Sequence, residues 1–143
     1  MERFYFIKEW ELLQNGAHTG IVSFAVARAK ELSVDLAVCV HNKSSCEQFL
    51  VKCFGEKIAQ KLLNRKDVKV DGVSIILESS KTLKQSYVSV ERAYLALFPS
   101  QELIESIEKI DSKKSLTVFS ETLHSEHLVE WYTKFEAKAL SEQ

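Results

Sequence analysis

The chain is poor in residues that interrupt structure, with one proline and four glycines among 143 residues. Collagen-like and Pro/Gly-rich low-complexity architectures need many times more, and are excluded. Cysteine is scarce too. Cys39, Cys46 and Cys53 are odd in number and lack CxxC spacing, which argues against a disulfide framework and for a reducing, cytoplasmic setting. No apolar run approaches the roughly 20 residues that a membrane helix requires. The run Phe4–Ile7 is broken at Lys8, too short for a secretory segment, so no membrane association is expected. Charge of one sign is also missing. Nineteen basic residues against 20 acidic leave a net −1, and no global field recruits nucleic acid.

What is present is globular. The chain is 45% hydrophobic and 27% charged, and its length suits a single domain spanning residues 1–143 with a sizeable core. Charge is unevenly spread: residues 1–89 hold 13 basic against 10 acidic side chains, and residues 90–143 hold 6 against 10.

Short apolar runs alternate with helical periodicity throughout. Arg3–Ile7 reads as a first strand, and Ile21, Val22, Ala25, Val26, Ala29 and Leu32 recur at three- and four-residue steps in a helix from about Thr19. Leu36–Val40 is a continuous apolar run, the pattern of a strand covered on both faces. Ser44-Ser45-Cys46-Glu47 fits a capping box and predicts a helix from near Ser45 toward Asn64. Asp71-Gly72 between Val68–Val70 and Val73–Leu77 is a two-residue hairpin signal. Tyr94–Phe98 is a further strand, ended by Pro99, and Ser100 is a suitable N-cap for a helix presenting Leu103, Ile104, Ile107 and Ile110. Leu116–Phe119 is the last expected strand, and the final helix carries Leu128, Trp131, Tyr132 and Phe135.

These elements predict an α/β fold: a Rossmann-like, doubly wound, mostly parallel sheet of about five or six strands with helices on both faces and one hairpin. The first strand is expected at its centre, with the chain reversing direction at Tyr94–Phe98. In such a sheet a ligand binds beyond the carboxyl ends of the strands. The expected ligand-binding residues are therefore Trp10, Gly16, His18, Thr19 and Gly20 in the long loop after the first strand, His41 after the second, and Ser100.

No motif there specifies a reaction. Gly16 and Gly20 can admit an anion or nucleotide at a helix N-terminus, or simply serve a turn. Their spacing matches neither a P-loop nor G-x-G-x-x-G. His18 and His41 are the weak catalytic candidates, imidazole being readily tuned near neutral pH. Cys46, in a first helical turn, is the best candidate for a reactive thiol. His124 and His127 share a helical face but lack an evident third ligand, so no metal site or cofactor is expected. Lys57, Lys61 and Arg65 form a basic stripe that can contact phosphates but looks equally like a solvated face, and Phe49 and Phe54 are expected in the core, which disfavours nucleic acid. Trp131, Tyr132 and Phe135 are the candidate interface for a homodimer or protein partner. The chain therefore reads as a small binding or interaction module without evident catalytic machinery. The alternative is a nucleotide- or anion-binding domain or small enzyme using the long first loop, and the third reading is nucleic-acid binding through the basic helix face.

Overall fold

The structure is a computed structural model describing residues 1–13, 16–42, 46–85, 90–123 and 125–140. In chain order the elements are β1 (Glu2–Lys8), α1 (Trp10–Leu13), α2 (Ala17–Leu32), β2 (Asp35–Val40), α3 (Glu47–Phe54), α4 (Glu56–Leu63), β3 (Val68–Val70), β4 (Val73–Ser79), α5 (Ser80–Gln85), β5 (Arg92–Leu97), α6 (Gln101–Glu108), β6 (Lys113–Glu121), α7 (Glu126–Lys134) and β7 (Lys138–Ala139). One seven-stranded sheet has the order β3-β4-β2-β5-β6-β1-β7, parallel except for the β3–β4 hairpin.

Strand alternation sorts the core into two layers. Leu36, Val38 and Val40 of β2 join residues of α2, α3 and α4, among them Ile21, Leu50 and Leu62. Ala37 and Cys39, the intervening residues, face Leu83 of α5, Ile104 and Ile107 of α6, and Leu128 and Trp131 of α7. A strand buried on both faces has no polar side to show, which is why β2 reads as an unbroken apolar run.

The layers follow from the order of connection. From β1 through β2 to β4 the chain moves toward one edge of the sheet, and α2–α4 cover one face. From β4 through β5 and β6 to β7 it moves back, and α5–α7 cover the other. A constant crossover hand requires that reversal of direction to exchange faces.

Several expectations need adjusting. β1 is not central: it lies between β6 and β7, paired along its whole length with β6 from Glu2↔Ser115 to Lys8↔Glu121. The sheet has seven strands because β7, two residues long, follows a break at Glu136, whose φ is 54°; the last helix therefore stops at Lys134. The helix expected from Ser45 to Asn64 is two helices, divided at Gly55, where φ is 83° and ψ 162°. That backbone conformation is essentially confined to glycine. Ser44 and Ser45 lie outside the described residues. The hairpin forms as expected, with Asp71 and Gly72 at φ 51° and 80°.

Candidate functional site at the carboxyl ends of the strands

β2 is where the connections diverge. Its own carboxyl end leads to α3 on one face, whereas its neighbours β4 and β5 lead to α5 and α6 on the other. Doubly wound sheets hold their ligands at such a point of divergence. The first residue after β2 is His41, the first after β4 is Ser80, and Ser100 follows β5 by three residues. The His41 Nδ1 lies 3.4 Å from the Ser80 Oγ and 3.3 Å from the Ser100 Oγ. Three strand ends thus bring two hydroxyls and one imidazole nitrogen to a single point.

Ser100 is the N-cap of α6: its Oγ accepts from the Leu103 backbone N–H at 3.2 Å. The Ser100 hydroxyl keeps its proton and a second lone pair, so it can donate to the His41 Nδ1 or accept from it, according to the tautomer. A neutral imidazole that accepts at Nδ1 carries its proton on Nε2. His41 is exposed. Ser80 is buried beside it. Among the described residues no carboxylate contacts His41, so the arrangement lacks the orienting third group of a nucleophilic relay. The cluster can donate hydrogen bonds to a bound group; the geometry offers no activated base.

Phe98, between β5 and Ser100, adopts a left-handed conformation at φ 47°, its N–H held by the Phe119 carbonyl at 2.7 Å. Its ring stacks on Phe49 of α3 at 4.5 Å and meets Phe119 edge-on at 5.6 Å. Pro99 then directs the chain into α6, and its carbonyl accepts from the His127 Nε2 of α7 at 2.8 Å. These contacts pin the turn that presents Ser100.

The other expected ligand residues form a second group around the start of α2. Gly16 is its N-cap in a left-handed conformation, without a side-chain cap, and Thr19 donates to the Gly16 carbonyl at 2.9 Å. Gly16, Thr19 and Gly20 are exposed, and Gly20 lies within the helix. His18 instead turns into the core. It is 5% exposed, edge-on to Phe119 at 5.0 Å, and its Nδ1–H donates to the Leu13 carbonyl at 3.1 Å. Its Nε2 is buried with no hydrogen-bond partner. Burial, and secondarily the Lys52 charge, holds the ring below the ordinary imidazole range against the opposing Leu13 bond, which favours the neutral form. Trp10 is exposed, with the Lys52 Nζ 5.2 Å from its ring centroid.

The structure therefore brings His41 and Ser100 together and places His18 in a separate aromatic cluster. Ser80 was missed because its stretch, Glu78–Glu91, carries no clear periodicity; the consecutive serines Ser79-Ser80 after the alternating strand were the available signal.

The remaining candidates are placed plainly. Trp131 is 5% exposed and buried against α6, while Tyr132 stacks on Tyr5 at 4.1 Å and Phe135 lies beneath the Arg3 guanidinium at 4.2 Å. Tyr132 and Phe135 keep part of their surface. Cys39, Cys46 and Cys53 are all buried, and none of them is in a disulfide. Burial pushes the Cys53 thiol up to about 12 and raises that of Cys39 as well. His124 lies outside the described residues.

The fold defines a Rossmann-like α/β domain. Neither a protein-family model, nor a curated protein, nor a solved structure matches the chain.

Proposed function

We propose that the protein is a binding domain whose ligand is a small molecule bearing a phosphate or carboxylate group, received at the carboxyl ends of β2, β4 and β5. The observation carrying this reading is the convergence of Ser80 and Ser100 on the Nδ1 of an exposed His41; with Nδ1 accepting, the proton on Nε2 is available to a ligand. Binding rather than catalysis is favoured because no orienting acid meets His41 among the described residues. The test is calorimetric titration with inorganic phosphate, nucleoside mono- and triphosphates, and small carboxylic acids. A hydrogen bond to a charged group contributes about 1.5–3 kcal/mol, so His41→Ala is expected to weaken binding roughly 10- to 150-fold. Ser100→Ala is expected to act in the same direction. Absence of binding by all of these compounds at millimolar concentration would refute this reading.

A second reading, a protein-partner surface, rests on exposed apolar residues at the same end of the sheet. Trp10 and Leu12 follow β1, Leu123 follows β6, and the two strand ends are joined by the Thr122 N–H donating to the Lys8 carbonyl at 3.0 Å. Exposed apolar area of this kind marks interaction sites when it is contiguous. Sedimentation of the wild type against Leu12→Ser/Leu123→Ser tests for self-association through it.

A further inference from the structure

Six cations of this molecule are ion-paired. Arg3, Arg28, Lys30, Lys113, Lys114 and Lys138 each hold a carboxylate within 4 Å. Lys57, Lys61, Arg65, Lys66 and Lys69 are all exposed, and none holds a carboxylate among the described residues. They fall within one segment: α4, the turn behind it and the edge strand β3, which holds Lys69. Across residues 56–69 these five face only the carboxylates of Glu56 and Asp67. Lys57 and Lys61 are one helical turn apart, about 6 Å along the axis, and Arg65 and Lys66 continue the row beyond the helix end.

The sheet turns the uneven charge along the sequence into a spatial one. α4 packs near β3 and β4 at one edge. α6 and α7, carrying Glu102, Glu105, Glu108, Glu126 and Glu130 against Lys134, belong with β5, β6 and β1 toward the other edge. A molecule with this arrangement presents its basic edge to a polyanion even at a net charge of −1.

We propose that the outer face of α4 and the turn behind it dock the phosphate backbone of a duplex nucleic acid, independently of its sequence. The chemistry on that face selects this partner. An anionic membrane surface is engaged by cations together with apolar residues that insert, but the apolar residues of α4 are taken by the core: Ala59 and Leu62 are buried. A single strand needs aromatic platforms for its bases, and Phe49 and Phe54, the nearest aromatics in the sequence, pack against the core. What remains exposed beside the cations is polar, Asn64 included, which suits backbone contacts that position without reading sequence.

The test is fluorescence anisotropy with a labelled 24-base-pair duplex of arbitrary sequence. Non-specific binding ordinarily has a Kd of roughly 1–100 μM at physiological salt, so at about 50 mM salt a Kd below about 100 μM is expected. Neutralising about four phosphates gives a log–log salt slope near −3.6, so raising salt fourfold should weaken binding about 150-fold. Lys57→Gln/Lys61→Gln should weaken binding at least tenfold and reduce the slope by about two. Both side chains are exposed, and an unchanged melting temperature checks that the fold is kept. Lys57→Arg/Lys61→Arg should restore binding. Lys109→Gln, at an exposed cation that caps the carboxyl end of α6, should leave it unchanged. The proposal is overturned if the wild type leaves the duplex unbound at 100 μM, if Lys57→Gln/Lys61→Gln binds like the wild type, if Lys109→Gln weakens binding equally, or if phosphatidylserine vesicles are bound and the duplex is not.

Discussion

Glu108 is the carboxylate on which the amino end of the sheet converges, and removing it should damage the fold more than any other surface-proximal change. Its oxygens accept from the Arg3 Nε at 2.8 Å and the Arg3 NH2 at 2.7 Å, a bidentate pair, and from the Trp131 Nε1 at 2.7 Å; the Lys113 Nζ lies 3.5 Å away. The Arg3, Glu108 and Lys113 side chains are only 18%, 12% and 9% exposed, so solvent screening is modest. Glu108→Ala strips a partner from two mostly buried cations and an indole N–H, the situation in which loss of one charge costs about 3–5 kcal/mol. In a domain of about 150 residues each kcal/mol moves Tm by about 2–4 °C, so a fall of roughly 6–20 °C is expected by calorimetry. Arg3→Met/Glu108→Met replaces both charges with apolar groups and should cost less than the two single substitutions together. The pH dependence follows with a definite sign. Burial raises the Glu108 carboxyl, but Arg3, Trp131 and Lys113 outweigh it and hold the group below the ordinary carboxylate value. Its contribution is therefore present above that ordinary value and lost as pH falls through the depressed one. The Tm curves of the wild type and Glu108→Gln should converge on acidification. A Glu108→Ala protein melting within 2 °C of the wild type, or a double variant as damaged as the sum of the singles, would refute the reasoning.

Other outcomes are equally definite. Gly55→Ala meets open space but an unfavourable backbone conformation, so it should cost about 1–3 kcal/mol by denaturant titration, with separation of α3 from α4 as its cause. The His18 imidazole, held low by burial, should give the wild type a loss of stability as pH falls from about 6.5 through the depressed value, a limb that His18→Leu should lack when both are followed by thermal melting. Cys39, Cys46 and Cys53 are buried, so the native protein should react with a thiol-specific dye only at the rate at which it opens, and completely in denaturant.

The fold was legible where local chemistry and long-range structure agree. β2 announced its double burial, Asp71-Gly72 its hairpin, and Pro99-Ser100 the passage from β5 into α6, because each depends on residues adjacent in sequence. Strand order was not legible. The pairing of β1 with β6 joins residues more than a hundred apart, and apolar content alone does not distinguish a central strand from one near an edge. The candidate site divides the same way: His41 and Ser100 were readable as strand-end polar residues, while Ser80 acquires its place only through the register of β4 beside β2. His18 was assigned to the site at the carboxyl ends of the strands by proximity in sequence to Gly16, but its ring follows the inward stripe of α2 that Ile21 and Val22 continue.

The position of β1 has a consequence for biosynthesis. Glu2 pairs with Ser115, Lys8 with Glu121, and Tyr5 with Ala139, so β1, once synthesised, waits for residues more than a hundred positions downstream. At roughly 5–20 residues per second that interval lasts about 5–25 s. During it Phe4, Phe6 and Ile7 have no sheet to join, and the growing chain must keep them from pairing elsewhere. The topology therefore predicts that delays in translation before residue 113 lengthen the exposure of this apolar strand.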